Sequence, residues 1–220
     1  MQAHLIEQLG TELYQALVDI KTVNPLTDRH PDITIEDAYK VQQQLMKLRL
    51  QAGERIIGKK IGVTSKAVMN MLGVYQPDFG YLTDGMVYNE GEAIPMSRLI
   101  QPKAEGEIAF VLKKTLKGPG ISSADVLAAT EGVMACFEIV DSRIQDWKIK
   151  IQDTVADNAS CGVFVLGDRL VDPPVATPAH RSRCARPTRE GPTLRISLGR
   201  ANSVPRYSET RTTGYHTILI

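Results

Sequence analysis

Leu5, Leu9, Leu13 and Leu17 recur at i, i+4 spacing, with Ile6, Val18 and Ile20 beside them. That is the apolar stripe of an amphipathic helix, and it predicts a first helix over residues 3–21. Thr34 followed by Asp37 resembles a capping box, and Ala38, Val41, Leu45 and Leu48 continue at helical spacing to about Gly53, predicting a second helix. From Arg55 the period changes: RIIGKKIGVT is short, β-branched and glycine-punctuated, as expected of a strand that meets something closely. A short helix over Ser65–Leu72 and the turn-rich segment QPDFG follow. Next come the strand-length apolar runs MVYNE, EIAFVL, VMACFEIV and CGVFVLG, separated by Gly, Pro and Asn-rich connections and by one helix near Ser122–Thr130. Helices first and mostly strands afterwards predict an α+β domain built around a strongly curved sheet.

The last fifty residues differ in kind. From Val171 to Ile220 there are eight arginines and no lysine, and six of the chain's twelve prolines, whereas lysine is frequent up to Lys150. No amphipathic period is visible there, and the proline and arginine content argues against a packed core. The expected organisation is therefore a domain over residues 1–168, helical to about residue 54 and β-rich beyond it. Residues 169–220 follow as an atypical segment, either a poorly ordered tail or a stretch read in a shifted frame.

Two hundred and twenty residues with 43% apolar content suffice to bury a core. The formal net charge of +1 leaves no electrostatic footprint for nucleic acid or an anionic membrane, so a small molecule or a protein partner is the expected ligand. No segment approaches the roughly 18 apolar residues of a membrane span. The start MQAHLIEQLG does not read as a signal peptide, and a cytoplasmic location is expected. Cys136, Cys161 and Cys184 lack metal-ligand spacing, and Cys136 and Cys161 read as reduced core residues.

The strongest candidate chemistry lies in PKAEGEIAF. Glu105 and Glu107 are two apart in a strand, so both carboxylates project from one face, where they repel unless a cation or a proton sits between them. Glu138 is embedded in the apolar run VMACFEIV, and a buried ionised carboxylate needs a partner. Three glutamates without a nearby His or Cys form an all-oxygen set suited to Mg²⁺ or Mn²⁺ rather than Zn²⁺. By pattern alone, glutamates that face solvent or pair with lysines fit equally well. Lys60 in GKKIG can point inward because Lys59 takes the opposite face of the strand, and a buried lysine beside an oxyanion can stabilise charge or move a proton. Asp78 in QPDFG reads as a turn residue with local hydrogen bonds. In DTVADNASCG, the cluster of Asp153, Asp157, Asn158 and Ser160 reads either as a helix cap or as a substrate-contacting loop.

The segments GKKIGVTS, LGVYQPDFGYL, IQPKAEGEIAFVL, FEIVDSRIQDW and DTVADNASCGVFVLG, in this order over most of residues 1–168, resemble the 2-hydroxypenta-2,4-dienoate (2-oxopent-4-enoate) hydratases of aromatic meta-cleavage pathways, within the fumarylacetoacetate-hydrolase-like group. The run SRIQDWKIKIQDTVADNASCG separates them from the sister 4-oxalocrotonate decarboxylases, which share GxTS and EIAF. The resemblance implies a curved mixed sheet or β-roll, incomplete at the C-terminus, since the family's further closing strands and glycine-rich loop are not recognisable. It implies that Glu105, Glu107 and Glu138 hold Mg²⁺ or Mn²⁺, that Lys60 and Asp78 act as acid/base and orienting groups, and that Ser160 lies near the substrate. The implied reaction is proton transfer to C5 of the dienoate and addition of water at C4, giving 4-hydroxy-2-oxopentanoate. A homo-oligomer is expected, as is a complex with 4-oxalocrotonate decarboxylase. The alternatives are the decarboxylase itself and a non-catalytic partner subunit of it.

Overall fold

The computed structural model describes residues 1–64, 66, 69, 70 and 74–173, the strands at 188–190, 193–195 and 217–219, and residue 220. Three helices come first: α1 (Ala3–Asp19), the single turn α2 (Leu26–Arg29) and α3 (Ile35–Gln51). The leucine stripe of α1 is buried where expected, Leu9 and Leu13 packing with Ala38, Val41 and Leu45 of α3. α3 begins at the expected capping box: the Asp37 amide donates to Thr34 Oγ1 at 3.1 Å, and the Thr34 amide donates to the Asp37 carboxylate at 3.4 Å. Two backbone donors that the first turn leaves without helical partners are thereby satisfied.

Seven strands follow before the partly described segment: β1 (Ile56–Gly62), β2 (Asp78–Thr83), β3 (Val87–Asn89), β4 (Ala93–Pro95), β5 (Lys103–Leu112), β6 (Thr130–Val140) and β7 (Cys161–Leu166). Helix α4 (Ser123–Ala129), capped by Ser122, precedes β6, and α5 (Ile151–Ala156) precedes β7. Beyond residue 173 lie β8 (Thr188–Glu190), β9 (Thr193–Arg195) and β10 (Thr217–Leu219). The main sheet is open and mixed, in the order β2-β1-β10-β5-β6-β7-β3, with parallel pairs at β1–β10 and β3–β7. β4, β9 and β8 form a separate three-stranded sheet. Most of the segment between residues 174 and 216, and with it the choice between a disordered tail and a shifted frame, lies outside the described residues. So does most of the helix expected over Ser65–Leu72, of which Lys66, Met69 and Asn70 are helical.

Strand alternation divides the main sheet between two apolar clusters. Ala109, Val111, Met134, Cys136, Leu82, Phe164 and Ile218 share one face. Ile139, Val163 and Val165 pack on the other with Tyr88, Ile94 and Leu99. No helix among the described residues is long and apolar enough to cross a membrane.

Candidate functional site

The strand register assembles the site. β5 pairs β6 with Glu105 opposite Glu138 and Glu107 opposite Cys136, so all four project from the face that continues into Ala109 and Met134. Ile218 of β10 lies opposite Val111 and Gly58 of β1 opposite Ile218, which carries the same face to Gly58 and, two residues on, to Lys60. Lys60 is opposite Gly80 of β2, and Gly62 is opposite Asp78. Lys60, Asp78, Glu105, Glu107 and Glu138 therefore share one face across five strands, at the edge of an apolar cluster. The expected division at GKKIG is present: Lys60 is buried and Lys59 is exposed, its ammonium 5.1 Å from the Phe79 ring and 5.2 Å from the Tyr81 ring on the other side.

Glu105, Glu107 and Glu138 each offer a carboxylate oxygen, and these atoms lie within 4.8 Å of one another. Oxygens bound to one Mg²⁺ at about 2.1 Å can be no more than about 4.2 Å apart, so roughly half an ångström of closure is needed. Glu105 and Glu107 are exposed and free to rotate, whereas Glu138 is buried. The donor set is all oxygen and suits a hard divalent cation. Charge points the same way, because the four carboxyl groups of this face are met by the Lys60 ammonium, whereas Lys103, on the same face of β5, lies over the Trp147 ring at 3.9 Å.

Lys60 Nζ lies 2.8 Å from Glu138 Oε1, the side chains being 7% and 3% exposed, and donates to the Ala159 carbonyl at 3.0 Å. The approach to Oε1 gives charge without a well-directed hydrogen bond, so that oxygen retains an open acceptor direction. Burial is the largest single influence and works against the Lys60 ammonium, but Glu138, with Cys161 and Asp78 adding to it, outweighs burial and holds the lysine above its ordinary value. Burial pushes the Glu138 carboxyl up, with Lys60 pulling it back. Glu107 is also raised, by partial desolvation first and then by Glu105.

The structure corrects one expectation. Asp78 is not a turn residue: it opens β2, is 4% exposed, and pairs with Gly62. The turn signal of QPD is overridden by Phe79, Tyr81 and Leu82, which pair with β1. Its carboxyl lies over Gly62, where a β-carbon would collide with it, and accepts from the backbone amides of Gly62 and Asp78. Burial raises the Asp78 carboxyl and the Lys60 charge lowers it, the net direction being upward.

DTVADNASCG contains the expected helix cap. Asp153 is structural: its carboxylate accepts from the Lys150 amide at 2.9 Å at the start of α5 and from Thr27 Oγ1 at 2.7 Å. Asn158, Ala159 and Ser160 then form a left-handed turn with φ of 53°, 53° and 51°. Outside glycine and asparagine this conformation costs roughly 1–2 kcal/mol per residue, so about 2–4 kcal/mol is held at Ala159 and Ser160. The turn packs on the site face of β2. The Asn158 side chain accepts from the Tyr81 amide at 2.8 Å and donates to the Tyr81 carbonyl at 2.9 Å. Ser160 Oγ is buried with no hydrogen-bond partner, and Ser160 is tied to the carboxylates only through Ala159 and Lys60.

Sequence reading missed Arg143, which is fully buried against Asp157 behind this turn. The available signal was a lone arginine, in VDSR, beside a long apolar strand and fourteen residues upstream of an Asp-Asn pair. Cys136 and Cys161 are free and buried as expected, and burial pushes the Cys161 thiol up to about 12.

No family model matches the chain. Among curated proteins it is 71% identical over 174 residues to a 2-hydroxypent-2,4-dienoate hydratase of Pseudomonas putida, which covers 79% of this chain and 78% of that one. It is 64% identical over 170 residues to a 2-hydroxyhexa-2,4-dienoate hydratase of Comamonas testosteroni and 47% identical over 167 residues to a 2-keto-4-pentenoate hydratase of Paraburkholderia xenovorans. Each of these covers 76% of this chain, which spans 64% and 62% of their respective lengths. Among solved structures it resembles a 4-oxalocrotonate decarboxylase of Pseudomonas putida complexed with magnesium and adipate. That match has a TM-score of 0.75 at 34% identity and covers 78% of this chain and 65% of that one. The same enzyme complexed with calcium and acetate matches with a TM-score of 0.73. The hydratases are far closer in sequence than the decarboxylase, and on these identities and coverages the chain belongs to the 2-hydroxypenta-2,4-dienoate (2-keto-4-pentenoate) hydratase family.

Proposed function

We propose that the protein hydrates 2-hydroxypenta-2,4-dienoate to 4-hydroxy-2-oxopentanoate in aromatic catabolism, at the face carrying Lys60, Asp78, Glu105, Glu107 and Glu138. The observation that carries the reading is the convergence of three carboxylate oxygens within 4.8 Å, with a buried ammonium on one of them. Glu105, Glu107 and Glu138 would hold Mg²⁺ or Mn²⁺, a Lewis acid for the α-keto acid end of the substrate. The solved decarboxylase neighbours, which hold magnesium or calcium, support a divalent ion here.

Lys60 and Asp78 then divide the proton work. The lysine, kept charged by Glu138, donates toward developing oxyanion charge, and Asp78, whose carboxyl burial raises, holds or releases a proton. The balance is simple. The 2-hydroxyl proton leaves as C5 gains one, and water then adds its oxygen at C4 while C3 takes a proton. Ser160, with its free hydroxyl, is proposed to contact the substrate. We also propose the curved mixed sheet or β-roll of the fumarylacetoacetate-hydrolase-like group, incomplete at the C-terminus, together with a homo-oligomer, a cytoplasmic location and association with 4-oxalocrotonate decarboxylase.

The test follows the ultraviolet absorbance of 2-hydroxypenta-2,4-dienoate with Mg²⁺ or Mn²⁺ present. Hydration is expected in the wild type. Glu105→Gln and Glu107→Gln are expected to lose both Mn²⁺ binding and turnover by at least about tenfold, as each removes one anionic ligand. Release of CO₂ from 4-oxalocrotonate with the dienoate untouched would overturn the assignment.

A further inference from the structure

Arg143 and Asp157 stand behind the site, and of the residues assigned above to ion, proton or substrate they touch only Ser160, whose amide donates to the Asp157 carbonyl at 3.0 Å. Their side chains are 1% and 0% exposed. The guanidinium binds the Asp157 carboxylate through Nε and the Asp157 carbonyl through Nη2, while Nη1 donates to the carbonyls of Asp141 and of Cys161, the latter at 3.0 Å. The Asp157 carboxylate accepts in turn from the Arg143 amide at 2.9 Å and from Ser142 Oγ at 3.2 Å. Asp157 and Cys161 are the residues immediately before and after the left-handed turn, so one rigid fork grips both of its ends. A buried ion pair is weak evidence for stability, since an apolar replacement often does as well. Its geometry therefore asks for another reason.

Resting on the hydratase reading, we propose that Arg143 and Asp157 are positioning residues: a buried clasp that holds Asn158–Ser160 left-handed and thereby keeps the Ala159 carbonyl on Lys60. The turn gains nothing from glycine, which would take φ near +53° freely, so an external constraint must supply the conformation. What the turn delivers is specific. Ala159 accepts from Lys60 Nζ at 3.0 Å, and the Asn158 side chain fixes the backbone of Tyr81, one residue beyond the Gly80 that faces Lys60. With the clasp released, the turn relaxes, the carbonyl swings away, and Lys60 keeps its charge partner but loses its direction.

Arg143→Lys keeps the charge and removes the fork. In the full-length, Mn²⁺-loaded protein, circular dichroism and Mn²⁺ affinity are expected to stay close to wild type and KM for the dienoate to change less than about threefold. The kcat is expected to fall on the order of a hundredfold, the scale set by a misplacement of about 1 Å. Amide exchange is expected to speed at least about tenfold at Ser160, which donates to the Asp157 carbonyl, and at Tyr81, which donates to Asn158, but not in β5 or β6. Adding Ala159→Gly to Arg143→Lys is expected to recover about tenfold in kcat without restoring Tm, because glycine supplies the turn but not the lost hydrogen bonds. A kcat within threefold of wild type, unchanged exchange at Ser160 and Tyr81, or no rescue by glycine overturns the clasp. If Arg143→Lys fails to fold, Asp157→Asn, which keeps shape and one acceptor, is read by the same criteria. If the wild type leaves the dienoate unchanged, the hydratase reading falls, and amide exchange alone then decides whether the clasp holds the turn.

Discussion

Replacing Lys60 by Met removes the ammonium in contact with Glu138 and leaves that glutamate buried beside Met. At 2.8 Å and an effective dielectric constant of about 20, the attraction between the two charges is roughly 6 kcal/mol. Desolvation of each ion costs several kcal/mol, so the intact pair nets close to zero. Breaking it is another matter, because one buried charge then stands uncompensated at about 3–5 kcal/mol. For a chain of this size that corresponds to a Tm lower by about 6–20 °C. Glu138→Gln strands Lys60 in the same way and is expected to cost a similar amount, whereas the double variant Lys60→Met/Glu138→Gln leaves two neutral groups and is expected to cost less than either single change. The assay is urea unfolding in EDTA at pH 8 and pH 5. Burial already raises the Glu138 carboxyl, and without Lys60 it rises further. A raised carboxyl contributes stability below its unfolded value and loses it as pH climbs through the folded value. The Lys60→Met deficit should therefore shrink at pH 5, while that of Glu138→Gln should not. With Mg²⁺ at a hundred times its dissociation constant, about 2.7 kcal/mol should return to Lys60→Met. Additive losses in the double variant, or a Lys60→Met deficit independent of pH, would refute the pairing.

Burial also pushes the Asp157 carboxyl up to about 6, against an ordinary value of 3.8. The folded chain then holds a proton between these values that the unfolded chain releases, so wild-type stability relative to Asp157→Asn should fall by up to about 3 kcal/mol from pH 4 to pH 7, read by paired urea titrations. An alanine β-carbon at Gly80 would sit 2.5 Å from the Asn158 carbonyl oxygen, which is backbone and cannot step aside. Gly80→Ala should thus cost roughly 1–3 kcal/mol in urea unfolding and at least tenfold in kcat. Lys59, exposed over Phe79 and Tyr81 on the opposite face, is the control: Lys59→Ala should change stability by about 1 kcal/mol or less and leave kcat unchanged.

What could be read from the sequence was local. The stripe of α1, the Thr34–Asp37 box and the strand runs of β1, β5, β6 and β7 depend on neighbours within a few residues, and they lie where the pattern put them. The shared face of Glu105 and Glu107 is the same kind of inference, a matter of two-residue alternation. Asp78 failed because its burial depends on pairing with Gly62, sixteen positions away, and not on the turn-forming residues before it. The clasp was invisible for a different reason. Ala and Ser at φ near +53° contradict their own preferences, and nothing in VDSR announces that Arg143 will collect the carbonyls of Asp141, Asp157 and Cys161.

The site concentrates two costs at one place: carboxylates that repel, and a turn that non-glycine residues resist. Each is tolerable only because something rigid lies beside it. Glu138 is held in β6 between β5 and β7, and Phe164 across the strand excludes water from its stem. The turn is held by a guanidinium that cannot lose its proton. Glu105 and Glu107, in contrast, stand at the exposed half of β5, where side chains can rotate. One fixed carboxylate and two movable ones make a site that can close on an ion without moving the sheet. The fixed one is also the carboxylate in contact with Lys60, so the residue that would hold an ion, supplying Lewis-acid chemistry, would share its charge with the ammonium, whose direction the Ala159 carbonyl sets.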